Sequence, residues 1–292
     1  MKLRQLYKTL ARQEWGLGFV KNGLVGVFSD DPMKIRWVKN PYKDRWFADP
    51  FILEVTEQSI ELLVEEFCYN TEKGRIAKLT IDKSSMKIVD MKIILECPTH
   101  LSFPNILRIK GNIYVYPESC HSGKLDLYEY DKEKERLIFV KTICNDAIWD
   151  SSITDIFGEW LMFTANKGDH DLDIYEWNEH NDSFVYSMSI HSEQANSRMA
   201  GQFFRYDGSI FCPFQNCSKA YGGAVDIKKV ERIDGQFRFA EVKKLASPHR
   251  TLRTGLHTLN EYKNEVVIDV HGYSHPFIGK CLHSIVRILK RK

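Results

Sequence analysis

The chain has 292 residues, with 41 Lys and Arg against 39 Asp and Glu for a formal net charge of +2, and it is 43% hydrophobic and 12% aromatic. That balance supports a packed core and excludes a disordered chain, a collagen-like repeat and a disulfide-dense minidomain. So small a net charge gives no global basic field, so no nucleic-acid partner is expected and any anionic group must be met locally.

The seven Cys, at positions 68, 97, 120, 144, 212, 217 and 281, are odd in number, scattered and free of any Cys-x-x-Cys pair. This usage suits a reduced chain without a disulfide framework or zinc ribbon. Residues 1–20 intersperse Lys2, Arg4, Lys8, Arg12 and Glu14 with apolar positions and offer no signal-peptide pattern, and no run of 18 apolar residues occurs. The expected location is cytoplasmic.

In chain order, residues 1–40 read as a lead-in that is part of the following fold, with a short helix at Leu6 to Trp15 and a strand at Leu24 to Phe28 that completes the last repeat. Residues 41–276 then contain five stretches of one design, a strand, a tight turn and a second strand ending on a polar residue: Ala48 to Phe67, Ser102 to Ser119, Trp149 to Asn166, Ala200 to Asn216 and Leu256 to Tyr273. Ile52, Ile106, Ile153, Phe203 and Leu259 align at spacings of 54, 47, 50 and 56. The turns include Lys110-Gly-Asn, Phe157-Gly-Glu and Asp207-Gly-Ser, where Gly supplies the positive φ of tight hairpins. Third strands are expected at Arg75 to Asp82 and in the near copies Leu125 to Asp131 and Leu172 to Asn178, and fourth strands at Met86 to Glu96 and Leu137 to Ile143. Five repeats of about four antiparallel strands make an all-β, five-bladed β-propeller. The 10- to 15-residue helical patterns of a parallel α/β fold are largely missing after residue 40.

Residues 277–292 form a basic amphipathic tail, with Leu282, Ile285, Val286 and Leu289 at helical spacing beside Lys280, Arg287, Lys290, Arg291 and Lys292. A C-terminal helix packed on the domain is the favoured reading, and weak peripheral contact with a membrane surface is the other.

In a propeller, the first strand of each blade lines the central axis, so residues fifty positions apart converge on one mouth. Those starts carry Asp49, Ser102 with Phe103, Asp150, Ala200-Gly201 and His257, and the second strands end at Glu66, Glu118, Ala165-Asn166, Gln215 and His271. His100, Arg198 and Arg253 precede three of the starts, with Trp46, Phe47, Trp149 and Tyr221 nearby. Polar groups for hydroxyls and flat rings for pyranose faces point to a carbohydrate. Paired carboxylates suit acid/base work on a glycosidic bond, which nominates Asp49 with Glu118 and Asp49 with Asp150. The remaining candidates, Glu66, His100, Arg198, Gln215, Tyr221, Arg253, His257, Trp149 and Phe103, are assigned to substrate binding. Dinucleotide, P-loop, zincin and α/β-hydrolase motifs are absent, so neither cofactor nor metal is expected; Asp169-His-Asp-Leu-Asp lacks the Glu that closes a calcium loop and reads as a solvated turn.

The ordered succession Trp46-Phe-Ala-Asp-Pro-Phe-Ile, His100-Leu-Ser-Phe-Pro, Tyr116-Pro-Glu-Ser, Trp149-Asp-Ser-Ser, Arg198-Met-Ala-Gly-Gln, Pro213-Phe-Gln with Tyr221-Gly, and Gly255-Leu-His-Thr-Leu resembles the N-terminal propeller of glucosamine inositolphosphorylceramide transferases, from about Trp15 to Asp269. Related copies belong to bacterial polysaccharide-biosynthesis proteins, and the domain is more distantly similar to the five-bladed propellers of arabinanases and invertases. The wider resemblance implies that Asp49 is base or nucleophile and that Asp150 tunes the acid and orients substrate. It also implies a general-acid Glu near the start of the fourth blade, where this chain reads Arg198-Met-Ala-Gly-Gln. Three readings stay open: Glu118 or Glu66 supplies the proton from another blade; an activated sugar donor leaves as phosphate, its charge met by Arg198, Arg253, His100 and His257; or the propeller binds or scaffolds a glycan without catalysis. The implied setting is surface polysaccharide or glycolipid synthesis.

Overall fold

The computed structural model describes residues 12–165, 170–273, 275, 278 and 279. Among the described residues, twenty strands form five four-stranded antiparallel sheets. Blade I comprises β3 (Arg45–Val55), β4 (Ser59–Cys68), β5 (Lys73–Asp82) and β6 (Lys87–Leu95). Blade II comprises β7 (Ser102–Ile109), β8 (Asn112–Glu118), β9 (Leu125–Asp131) and β10 (Arg136–Cys144). Blade III comprises β11 (Trp149–Thr154), β12 (Leu161–Ala165), β13 (Asp171–Asn178) and β14 (Ser183–His191). Blade IV comprises β15 (Phe204–Tyr206), β16 (Ser209–Asn216), β17 (Ala224–Ile233) and β18 (Gln236–Leu245).

Blade V is assembled from both ends of the sequence, in the order β19 (Gly255–Tyr262), β20 (Glu265–Tyr273), β1 (Gln13–Val20) and β2 (Ile35–Trp37). The expected closing strand at Leu24 to Phe28 is instead the short helix α1 (Gly23–Phe28). The reason lies in β1: its GLGFV run alternates correctly against β20 in an eight-residue register from Gln13–Tyr273 to Val20–Val266. The chain then needs a reversal before β2 returns along β1. Of the helix expected at Leu6 to Trp15, Gln13 to Trp15 are strand and residues 6–11 lie outside the described residues. The amphipathic positions of the tail, from Lys280 onward, also lie outside them.

The blades are graded from axis to rim. β4 buries both faces, because it is sandwiched within and between sheets, and its sequence SIELLVEEFC is correspondingly dense in apolar residues. β14, an outermost strand, is exposed at five consecutive positions. Apolar side chains between sheets merge into shared cores; one unites Phe51 and Phe103, edge to face at 5.0 Å, with Phe163 and Phe214. The turns follow the expected chemistry, with both Lys110-Gly111 and Asp207-Gly208 at positive φ.

Closure depends on close packing at β1. A Cβ on Gly18 would lie 2.4 Å from Ile35 Cγ2 and 2.7 Å from Trp37 Cε3, so only glycine lets β2 approach. The adjacent Phe19 is fully buried. Truncating a buried Phe to Ala costs about 3–5 kcal/mol. Urea unfolding of Phe19→Ala should therefore show a loss of that size, and a loss within about 0.5 kcal/mol, typical of surface substitutions, would show that closure is anchored elsewhere.

Candidate active site

The site is built by one local distortion repeated around the axis. In β3, β7, β11 and β19 the pairing to the next strand slips between Ala48 and Phe51, Ser102 and Asn105, Trp149 and Ser152, and Leu256 and Leu259. Each slip is a bulge, in which two residues oppose one. Asp49, Phe103 and Asp150 occupy it with φ of 50°, 43° and 46°, a left-handed conformation that L residues hold only where surroundings enforce it. In blade IV the equivalent place is Gly201, where a Cβ would lie 2.0 Å from Leu259 O.

Backbone groups released by the bulges are satisfied by the neighbouring blade, as buried amides and carbonyls must be. Phe103 N donates to Asp49 Oδ2 at 3.0 Å, Asn105 Nδ2 to Ser151 O at 3.0 Å, and Ser152 Oγ to Gly201 O at 2.6 Å. Gln202 N donates to Asn260 Oδ1 at 3.0 Å, and Asn260 Nδ2 donates to Pro50 O at 2.9 Å. The ring closes on Asp269, whose Oδ2 accepts from Asp49 N at 3.0 Å while Oδ1 accepts from His257 N at 3.2 Å and Thr258 N at 2.7 Å.

Above this ring opens a cavity of about 1100 Å³. Trp15, Trp46, Phe67, Tyr69 and Tyr221 give it aromatic walls, and Asp49, Glu65, Glu118, His100, Arg198 and His257 give it polar groups. Trp46 stacks on Phe67 at 4.8 Å, and Trp15 packs on Trp46 at 5.7 Å and on His257 at 5.0 Å. Arg198 is held between rings, 5.1 Å from the centroids of both Trp149 and Tyr221, and its Nε and Nη2 donate to Asp150 Oδ2 at 2.8 and 2.6 Å.

These contacts separate the protonation states of the acids. Burial, then the Asp150 charge beside it, pushes Glu118 well above the usual carboxylate range, with Arg198 opposing. Asp150 goes the other way, because Arg198 and the neighbouring Glu118 outweigh a burial effect that would raise it. Two adjacent carboxyls are therefore driven in opposite directions, Glu118 toward keeping its proton and Asp150 toward losing it. Glu65 is pushed up to about 7 by burial despite the His100 imidazole, whose Nε2 lies 3.1 Å away. Asp49 is raised by burial, against the pull of His257. Burial alone would lower His257, yet Tyr221, Asp269 and Asp49 raise it well above its ordinary value.

His257 Nδ1 lies 3.0 Å from Asp49 Oδ1 and 3.3 Å from Asp269 Oδ2. Only the second contact has hydrogen-bond geometry, so Asp49 Oδ1 remains a buried acceptor without a hydrogen bond, on a residue that lines the cavity. Asp49, His257 and Asp269 also offer three ligand atoms within 4.8 Å of one another. They could hold a metal ion only if the imidazole lost its Nδ1 proton, and the two carboxylates oppose that loss.

Of the residues nominated from sequence, Asp49, Glu118, His100, Arg198, Tyr221 and His257 line the cavity together. Asp150 and Gln215 lie beneath it, Gln215 Nε2 donating to Asp150 Oδ2 at 2.8 Å, and Trp149 backs Arg198. Three do not join them. Glu66 is fully buried between Arg45 and Arg75, because its side chain leaves the opposite face of β4 from that of Glu65. Phe103 is buried against Phe51, its backbone rather than its ring serving the site, and Arg253 lines a separate cleft. Phe47, too, is core. Sequence reasoning missed Glu65, Trp15 and Asp269. The last had a legible signal, a lone acid within the apolar run VVIDV.

A profile of the family described as the N-terminal domain of glucosamine inositolphosphorylceramide transferase 1 matches residues 36–267. The chain is 29% identical over 212 residues to glucosamine inositolphosphorylceramide transferase 1 of Arabidopsis thaliana, covering 68% of this chain, and 26% identical over 205 residues to that of Oryza sativa subsp. japonica, covering 66%. It spans only 27% of the length of each relative. Among solved structures, a thermostable family-43 glycoside hydrolase superposes with a TM-score of 0.55 at 14% identity, over 82% of this chain and 89% of that one. A family-43 β-xylosidase/α-arabinofuranosidase from a compost microbial metagenome gives 0.53 at 11% identity, over 78% and 91%. At such identities the likeness is one of fold.

Removing the cation from the Asp150 pair should leave a buried, uncompensated charge, at a cost of about 3–5 kcal/mol near neutral pH for Arg198→Met. Asp150 is held below its ordinary range, so its contribution is present at neutral pH and is lost as pH falls through its folded value. The gap between wild type and variant in chemical unfolding should therefore narrow in acid; a gap independent of pH would disprove the pairing. Glu65 has the opposite sign. Its raised value makes the wild type lose stability between about pH 4.5 and 7. The melting temperature of Glu65→Gln should gain on the wild type across that window, and parallel curves would show Glu65 to be ionised throughout.

Proposed function

Because this chain belongs to the family of the N-terminal domain of glucosamine inositolphosphorylceramide transferase 1, we propose that its propeller is carbohydrate-active and works on a sugar held in the central mouth, by transfer or hydrolysis at a glycosidic carbon. The observation that carries this reading is geometric: Glu118 lines the cavity and accepts from Asp150 N at 3.1 Å, beside an Asp150 carboxylate that Arg198 Nη2 holds at 2.6 Å. Glycosidic chemistry requires a group that hands a proton to the leaving oxygen and a carboxylate that activates or receives the attacking atom. Glu118 takes the first role and Asp49, which lines the cavity with its Oδ1 3.0 Å from His257 Nδ1, the second. Asp150 is not among the residues lining the cavity and acts as a positioning residue, holding Arg198 and favouring the protonated form of Glu118. Trp15, Trp46 and Tyr221 present the flat surfaces on which pyranose rings stack.

Arg198, the cation on the cavity side of Asp150, suits a donor whose leaving group carries negative charge. The names of the plant relatives describe transferases, which agrees with that preference. A glycan-binding role without turnover is favoured by one feature, the absence of an acid at the start of blade IV. Sugar partners, a setting in surface polysaccharide or glycolipid synthesis and a cytoplasmic location belong to the same proposal. Among the described residues no helix is long and apolar enough to cross a membrane.

A panel of nucleotide sugars, glycosyl phosphates and oligosaccharides tested by thermal stabilisation should yield a ligand, and saturation at one hundred times its Kd adds about 2.7 kcal/mol. With that ligand as substrate, Asp49→Asn and Glu118→Gln should keep the fold and binding while turnover falls by at least about 100-fold, the lower bound for losing an acid or base. Wild-type turnover in both variants would sink the assignment, and binding without turnover in the wild type would establish the second role.

A further inference from the structure

A second cleft, of about 850 Å³, lies between the loop at 216–224, the loop at 244–254 and the end of β20. Lys219, Lys244, Arg250 and Arg253 line it, with Thr251 and Thr254, and among the described residues no Asp or Glu does. One anion lies behind it: Asp226 is fully buried, with Oδ2 accepting from Asn196 Nδ2 at 3.1 Å and Asn216 Nδ2 at 2.7 Å, and Lys244 Nζ stands 3.7 Å from Oδ1. Lys219, Arg250 and Arg253 are exposed and form no ion pair among the described residues. For a chain whose net charge is +2, four cations on one concavity are a marked segregation of charge. Their mutual repulsion is relieved by an anion bound between them.

The cleft is rigidly made. A Cβ on Gly255 would lie 1.9 Å from Gly222 O, and one on Gly272 would lie 2.7 Å from Leu252 Cα, so the loops touch through glycine. His249 Nδ1 accepts from Thr251 N at 3.1 Å and from Leu252 N at 3.0 Å, which tightens the loop bearing Arg250 and Arg253. A preformed site spends little affinity on ordering. The loop that supplies Lys219 also supplies Tyr221, whose hydroxyl meets His257 Nε2 at 2.9 Å on the side of the central mouth. The cleft and the mouth are thus two sides of one loop.

We propose that this cleft is a subsite for a phosphate ester, seating the phosphoryl group of a molecule whose sugar reaches the central mouth. The phosphoryl half stands on the cleft alone; the link to the mouth rests on the carbohydrate reading above. Two guanidinium groups give bidentate contacts to phosphoryl oxygens, with two ammonium groups adding point charge. Tyr273 is the one ring among the lining residues, against the succession of rings on which a nucleic-acid strand stacks.

Calorimetric titration of the full chain at low salt, with inorganic phosphate, glucose 1-phosphate and glucose, tests both halves. Phosphate and glucose 1-phosphate should bind, and Arg250→Gln combined with Arg253→Gln should weaken both at least tenfold while the melting temperature in phosphate-free buffer is unchanged. Unchanged affinity in the double variant, or no phosphate binding by the wild type, overturns the subsite. Glucose 1-phosphate binding no tighter than phosphate upholds the cleft and overturns its link to the mouth. Sedimentation with phosphatidylcholine vesicles containing phosphatidylinositol separates the sources: binding lost in the double variant assigns a lipid headgroup, and binding confined to the soluble ester assigns a free sugar phosphate.

Discussion

The structure turns on the way each inner strand gives up pairing with its own blade. A bulge leaves amides and carbonyls that the blade can no longer satisfy, and burying them unpaired would cost about 1–3 kcal/mol each. The next blade supplies the partners, through Asp49, Asn105, Ser152 and Asn260 and, at the closure, Asp269. The same hydrogen bonds therefore hold five separate sheets at a common axis and fix the side chains of the mouth. Asp49 belongs to both systems, with one oxygen committed to the Phe103 amide and the other 3.0 Å from His257 Nδ1. Rigidity of the fold and preorganisation of the site have one origin here.

Electrostatics reinforces this arrangement by separating charges that cancel in the total. The cavity collects Asp49, Glu65 and Glu118, all raised by burial, while Arg198 favours the ionised form of the Asp150 beneath it. Lys219, Arg250 and Arg253 of the neighbouring cleft are exposed and form no ion pair among the described residues. A net charge of only +2 thus conceals an acidic floor and a basic annex separated by the loop of Tyr221.

The repeat was legible because its signal is redundant. Aligned apolar positions, Gly-containing turns and the copied LDLYEYD and LDIYEWN segments all demanded the same strands, and β9 occupies Leu125–Asp131 as expected. Closure was harder, because β1 pairs with a strand some 250 positions away and nothing local in Gln13–Val20 names that partner. Within the site, legibility stopped at single-residue steps. Glu65 and Glu66 are adjacent and identical in type, and the pleat sends one to the mouth and the other to Arg45 and Arg75. Composition gives no means of choosing between them. Phe103 shows the same limit, since a bulge residue contributes a backbone amide that no side-chain argument registers.

Blade V places the earliest strand of the chain beside the last ones, and Trp15 of β1 packs on both His257 and His271. During synthesis, β1 emerges first and has no sheet to join until β19 and β20 have been made. Blades I to IV can form in order from local hairpins, whereas the mouth stays without one wall until this final, distant pairing is made. Completion of the pocket is then coupled to that distant pairing, so a chain in which β1 is not yet paired presents the acids of blades I to III without Trp15 seated against His257.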